Sequence, residues 1–533
     1  MPFADETALF NNSQEKTMEA EMDKHSLIIE TGEELEDLIK SCKHYKRRCC
    51  FSSLREYISK PADSQVCILY GLRRTGKTVM ICQLLEELNL NTTLFVQMKP
   101  NNTMADLFLT LKSKCKEIEV STIIIDEVTC AEDFITSCAF LADTFAARGI
   151  HVILAGTDSL GFYFAKGRQL YDRCMLIHTT FISFAEWSDL LSIGSIEEYI
   201  RYGGTLLPEG RTPFRSSAST QEYMNTAIAE NIQNSLRILD ETHIFSNLRD
   251  LYRRYQVTGL INRIVEDHNH DFTLEVANRL FTSHDLDSAK NIIMQHDLSD
   301  SLVEFIRDNR EKIVNSLKDS LSISDNPSHE VTKYMLEEAN TYLKELDLID
   351  TYNVIDFRGS THEHTVFTQP GLRYSQAQLL VSALTEQEAF SSLGLADRDL
   401  LSEVIMNDIE GRMLEDLVIQ HTVYSLSAGK CPIDTNDYIV FQYAFPHGEY
   451  DMVVLNKQKR CAYAFEIKHS SKIDYQKQTR HLTNQDASAD FDKKFYPIVG
   501  RYVLYNGKSS LADDTVEYVN ISQYLRSIKT FFK

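Results

Sequence analysis

Gly71-Leu72-Arg73-Arg74-Thr75-Gly76-Lys77-Thr78 follows the spacing GxxxxGK[ST]. Each part of that spacing has one job on a triphosphate. Gly71 and Gly76 let the loop, with Arg74 and Thr75 between them, turn backbone N–H groups inward, and Val79 continues the turn into a helix. Lys77 reaches the β and γ oxygens, and the Thr78 hydroxyl ligates Mg²⁺. The motif follows the apolar run Gln65 to Tyr70 and opens a helical stretch from Val79 to Leu88, the strand–loop–helix context this chemistry requires. A second apolar run, Ser121 to Ile125, ends in Asp126-Glu127. Asp126 is expected to hold the Mg²⁺ shell, and Glu127 to orient or deprotonate the attacking water. The cofactors expected at this loop are ATP and Mg²⁺.

A third run, Ile150 to Ala155, leads into Gly156-Thr157-Asp158-Ser159. Thr157 or Asp158 can sense the γ-phosphate, or the same polar residues can simply cap a helix. Arg168 and Arg173 follow in a turn-rich segment. Either is placed to serve as an arginine finger, and either is equally suited to a solvated surface.

Near the end of the chain, Asp451 begins an apolar run and Glu466-Ile467-Lys468 closes the next. Residues two apart on a strand share a face, so Glu466 and Lys468 point the same way. With Glu415 on a preceding helix, these residues can hold a second Mg²⁺ or Mn²⁺, Lys468 steadying a hydrolytic water or a scissile phosphate. Local charge reverses here: Lys457, Lys459, Arg460, Lys468, Lys472, Lys477 and Arg480 face only Glu466 and Asp474. DNA is therefore a candidate partner through this region. The alternative is a module without catalysis, kept for packing or binding.

The elements that must position these groups alternate. Short apolar runs separated by helical stretches, including Thr93 to Gln97, imply a parallel α/β layer. Gly203-Gly204 and the stretch to Pro213 mark a break. The expected organisation is a disordered tail over 1–25, a helical lead-in over 26–60, a P-loop ATPase domain over 61–205 and a helical region over 206–320. A winged-helix-like unit over 321–395 and an α/β domain over 400–533 complete it. The winged-helix outline rests on the apolar stripe Val331, Tyr334, Met335, Ala339, Tyr342, Leu343 and Leu346, followed by runs at Leu348 to Phe357 and His364 to Thr368. Its outer face carries Glu330, Glu337, Glu338 and Glu345, which would repel phosphate and suits packing or protein contact.

Composition narrows the class. The 533 residues, 43% hydrophobic and 25% charged, suit several globular domains. A net charge of -22 argues against coating nucleic acid through the overall field, while leaving local basic patches. No apolar stretch approaches the ~20 residues that cross a bilayer, so no membrane partner is expected. The N-terminus lacks a basic start and apolar run, and the eleven cysteines show no CxxC or zinc spacing. A cytoplasmic location with reduced thiols is the expectation.

These residues carry a resemblance. LYGLRRTGKT, IIIDEVT, LAGTDSL, YGGT and the closing GRMLEDLV, GEYDMVV and AFEIKHS are similar to the motif series of prokaryotic AAA-type ATPases. In that family a P-loop domain, a winged helix and a C-terminal PD-(D/E)xK nuclease-like domain follow in order. The resemblance implies a multidomain α/β chain, ATP hydrolysis, a nuclease-like partner domain and room for a homo-oligomer. Its Gly-Arg finger maps either to Gly167-Arg168 or to Asp172-Arg173. Two functions follow: an ATPase that gates DNA cleavage, or a regulatory ATPase whose C-terminal domain only binds.

Overall fold

The computed structural model describes residues 27–532 except 132, 168, 208–210, 233–235, 237–244, 283–304, 306–307, 310–311, 314, 316–331, 428–436 and 512–514. The expected tail over 1–25, Arg168, Pro208, Glu330, Val331 and much of the expected helical region after 282 therefore lie outside the described residues. The chain divides into two compact units.

The first unit comprises residues 1–180, 224–261 and 337–346. Its sheet contains β1 (Ile29–Glu30), β2 (Val66–Tyr70), β3 (Thr93–Gln97), β4 (Thr122–Asp126), β5 (His151–Gly156) and β6 (Cys174–His178), in the order β1-β3-β4-β5-β2-β6. Every residue of β2 and β4 is buried, which is why these strands read as unbroken apolar runs. The sheet is mixed rather than wholly parallel: β1, from the lead-in, pairs antiparallel with β3. The lead-in thus supplies an edge strand as well as helices. Helix α1 (Lys77–Leu85) packs its Met80, Ile81, Leu84 and Leu85 into one core with Cys67, Leu69, Ile124 and Ile153. Strand β5 lies between β2 and β4, so the C-terminal ends of three parallel strands sit at one sheet edge. That edge is where α/β sheets place ligands.

The second unit comprises residues 181–223, 262–336 and 347–533. Its sheet includes β7 (Ile349–Asp356), β8 (Thr361–Phe367), β9 (Tyr438–Phe445), β10 (Gly448–Asn456), β11 (Cys461–Lys468), β12 (Ile498–Tyr505), β13 (Ser510–Leu511) and β14 (Glu517–Asn520). The order is β13-β14-β12-β11-β10-β9-β7-β8. Helix α2 (Lys333–Glu345), most of which belongs to the first unit, precedes the β7–β8 hairpin, which gives the helix-then-hairpin outline read from the sequence. The hairpin is no freestanding wing, because β7 pairs in parallel with β9 and extends the sheet of the C-terminal region. Tyr352 and Val354 of β7 join the core formed with Met452, Val454 and Phe465. Helix α3 (Leu395–Ser427) and helix α4 (Ile521–Phe531) bury Leu414, Val418, Tyr524 and Ile528 against the same core. A single helical turn, Tyr475–Gln478, and a separate helix, Gln485–Lys494, capped by Asn484, follow β11. Among the described residues no helix is long and apolar enough to cross a membrane, and the ten described cysteines are free thiols.

Candidate functional site

The phosphate loop is held by its own strained backbone and by a buried arginine. Gly71 has φ 149°, and a Cβ there would lie 2.4 Å from Thr179 Oγ1 and 2.8 Å from the Thr180 nitrogen. Only glycine fits that approach. Arg74 and Gly76 have φ 66° and 92°, so the loop twice visits the left-handed region before α1 begins. Successive turns of this kind gather N–H groups into an anion-binding concavity. Arg48, 5% exposed, donates to the carbonyls of Thr75 at 2.5 Å and Thr179 at 3.0 Å, tying the loop to the end of β6. Thr75 Oγ1 also bonds Thr179 Oγ1 at 2.8 Å.

Lys77 is buried and donates to the carbonyls of Gly71 and Leu72 at 2.8 and 2.9 Å. Burial lowers its ammonium to about 8, against the opposing pull of Glu127 and Asp126. A triphosphate entering this cradle would raise it again, since anions favour the protonated form. Thr78 Oγ1 stands 3.3 Å from Asp126 Oδ2. Burial raises Asp126 above the ordinary carboxylate range, only partly offset by Lys77. A hydroxyl beside an under-compensated carboxylate is a hard-oxygen donor set, which fits Mg²⁺. Glu127 sits just past β4 at φ 53°, its acid raised first by burial and then by Asp126. Lys77, Arg73 and, least of all, the nearby Thr157 side chain pull the other way.

These groups surround a cavity of about 600 Å³ lined by Arg73, Arg74, Lys77, Thr78, Glu127 and Thr157. Arg173 is not among its lining residues; it pairs with Asp143 at 2.5 Å, its side chain about half-exposed. The sequence motifs did not mark Arg48, which holds the loop from outside it, or Thr226, Glu230 and Asn231, which reach the cavity from a distant segment. Nothing local in the sequence marks those three.

The C-terminal cluster forms where β10 is irregular. Its register against β9 shifts between Tyr450 and Val453, the stretch that contains Asp451. Asp451 Oδ2 accepts the Ile467 N–H at 2.7 Å and lies 3.4 Å from Lys468 Nζ. Lys468 Nζ is 2.7 Å from Glu466 Oε1, so the expected shared face is present. Burial pulls this ammonium down, but Asp451, Glu466 and Glu415 outweigh it and hold the lysine charged. Glu415 and Glu466 are both raised to about 8, first by burial and then by Asp451.

Glu415 faces Arg412 at 2.5 Å, while Gln442 donates to Glu449 at 2.9 Å. Arg412 and Glu449 are site neighbours that the sequence reading did not include. Gln478, by contrast, is consumed in its own turn, bonding the Asp474 N–H and the Lys472 carbonyl. Among the described residues no group of three or more His, Cys, Asp or Glu side chains is gathered to hold a metal. Glu466 Oε2 is nonetheless buried without a hydrogen-bond partner among the described residues, an orphan a cation would satisfy.

Residues 63–188 match the family model of an AAA domain. A comparison with curated proteins gives no match. Among solved structures, the chain is similar to Saccharomyces cerevisiae Hsp104 in a casein complex, at 13% identity and TM-score 0.25 over 63% of this chain and 60% of that one. It is also similar to the Hsp104–ADP complex, at 12% identity and TM-score 0.25 over 75% and 61%. The ORC1 protein of Aeropyrum pernix in complex with DNA gives 13% and 0.23 over 64% and 95%. The chain thus spans about 60% of the Hsp104 chain. The assignment rests on the family match together with the loop geometry. Residues 63–188 are an AAA-type P-loop ATPase domain, which implies ATP and, with it, Mg²⁺.

Proposed function

We propose that the chain binds and hydrolyses Mg-ATP through the loop Gly71–Thr78, and that hydrolysis governs a nuclease-type site in the C-terminal region. The observation that carries the reading is a buried Lys77 in a left-handed loop with Thr78 and Asp126 paired at 3.3 Å beside it. Lys77 and the loop N–H groups would bind the β and γ phosphates. Thr78 and Asp126 would hold Mg²⁺, which neutralises charge on the phosphate oxygens. Glu127 would take the proton of the attacking water, burial and Asp126 making its carboxylate a stronger base than an exposed one. Arg173 would have to leave Asp143 to act as a finger, most simply across a boundary to a second copy in a homo-oligomer.

In the C-terminal region Asp451 and Glu466 would share a divalent cation, with Glu415 behind them and Lys468 on the water or phosphate. The orphaned Glu466 oxygen, and the upward push that burial and Asp451 give both Glu415 and Glu466, support a place for a further cation. One observation favours the second reading, a regulatory ATPase whose C-terminal domain only binds: Lys468 already neutralises both Asp451 and Glu466.

The full chain with plasmid, linear and single-stranded DNA, Mg²⁺ or Mn²⁺, with and without ATP, separates the two. Cleavage lost on Asp451→Ala, Glu466→Ala or Lys468→Ala supports the nuclease. DNA binding without cleavage, weakened similarly and salt-dependently by Lys468→Ala, Lys472→Ala and Lys477→Ala, supports the binding module.

A further inference from the structure

The cavity beside Thr157 is closed by a segment that belongs to none of the nucleotide motifs. Thr226, Glu230 and Asn231 line it. They come from a π-helical stretch, Met224–Ala229, that tightens into a single 3-10 turn, Glu230–Ile232. Short π-helical stretches recur at functional sites, because the wider turn costs hydrogen-bond quality for no local gain. Asn231 Nδ2 donates to the Thr157 carbonyl at 2.5 Å. The β2–β5 ladder ends at Gly156, so the Thr157 carbonyl lies just past the last backbone pair of that ladder. Thr157 and Glu127 line the same cavity, so the Thr157 hydroxyl is the side-chain group this grip sets beside the carboxylate. From behind, fully buried Tyr342 donates its hydroxyl to the Ile228 carbonyl at 2.6 Å and so braces the π-helical stretch. Tyr342 stands on α2, and the chain leaves the first unit after residue 346.

We propose that Asn231 is a positioning residue for ATP hydrolysis: by gripping the Thr157 carbonyl it fixes the hydroxyl that orients Glu127, so segment 224–232 sets the readiness of the catalytic base. The inference rests on the ATPase reading above. It differs from a simple fastening role in what it predicts. A carbonyl held at one end of a residue fixes the rotation of its Cα, and with it the direction of the side chain. Freed of Asn231, Thr157 can turn its hydroxyl away from Glu127, whose own backbone is held in the left-handed region. Tyr342 extends the same grip toward the point where the chain passes into the second unit.

The test is a double-mutant cycle on kcat, with ATP affinity and melting temperature measured alongside. Asn231→Ala should lower kcat by roughly five- to tenfold, about the worth of one hydrogen bond, with ATP affinity and melting temperature near wild type. In Thr157→Val, which has no hydroxyl to orient, adding Asn231→Ala should cost almost nothing more; in Thr157→Ser the cost should return. Tyr342→Phe, which leaves the cavity lining intact, should lower kcat in the same direction by a smaller factor. An Asn231→Ala enzyme with wild-type kcat, or losses that multiply independently with Thr157→Val, would overturn the inference. So would equal losses of kcat and ATP affinity with a lower melting temperature, the mark of fastening alone. A wild type with no turnover sinks the ATPase reading itself, whereas turnover unaffected by Asn231→Ala sinks only this step.

Discussion

A buried histidine shows how much one protonation state can hold together. His421 Nδ1 donates to the Leu417 carbonyl at 2.8 Å, and Nε2 accepts the Phe184 N–H at 2.9 Å. Both ring nitrogens are committed, so the neutral ring is required. Burial lowers its pKa to about 4, opposed only by the Leu417 bond. A folded value depressed below 6.5 gives stability that is present above pH 6.5 and lost as pH falls through about 4. The amount is of order 3 kcal/mol. His421→Gln can still accept the Phe184 N–H without titrating. The stability of wild type relative to that variant, from urea unfolding, should be constant above pH 6.5 and decline toward pH 4. A flat difference would contradict the tautomer argument. At this scale the nucleotide loop was the most readable part of the sequence, because Gly71, Gly76, Lys77 and Thr78 stand at a fixed local spacing. Arg48 and Asn231 were not readable, because they meet the loop and Thr157 from 27 and 74 residues away.

Helix α3 carries two acidic neighbours with opposite jobs. Glu415 belongs to the C-terminal cluster, whereas Asp416 lies in a buried network with Arg373 at 3.0 Å, Tyr352 at 2.9 Å and His364. Burial disfavours the Asp416 charge, but His364, Arg412 and Arg373 outweigh it and hold the carboxyl below its usual range. Removing one partner of such a pair strands the other: Asp416→Ala should cost about 3–5 kcal/mol in chemical unfolding, and Asp416→Asn less. A loss under ~1 kcal/mol would show that Arg373 finds another acceptor. Adjacent charges on a helix read alike in sequence; only the sheet behind them separates their roles. Strand boundaries failed for the same reason. β6 was missed because Cys174 to His178 is short and only Ile177 is fully buried, and the β7–β8 hairpin read as a separate wing because β9, its partner, lies more than 80 residues downstream.

Across the whole chain, an ATP site on the edge of one sheet and a charged cluster on a second belong to different compact units. Coupling between such units needs an element that both sites bias. Within the first unit, Tyr342 of α2 bonds segment 224–232, and the chain enters the second unit after residue 346. All of this depends on ATP being hydrolysed at the loop with Glu127 as the base. The most direct test is the turnover of Glu127→Gln at saturating Mg-ATP, with bound nucleotide quantified in the same sample. The account predicts full occupancy, because Lys77, Thr78 and Asp126 are untouched, with turnover lower by at least about a hundredfold, as expected for loss of a general base. Wild-type turnover in an occupied Glu127→Gln site would contradict it.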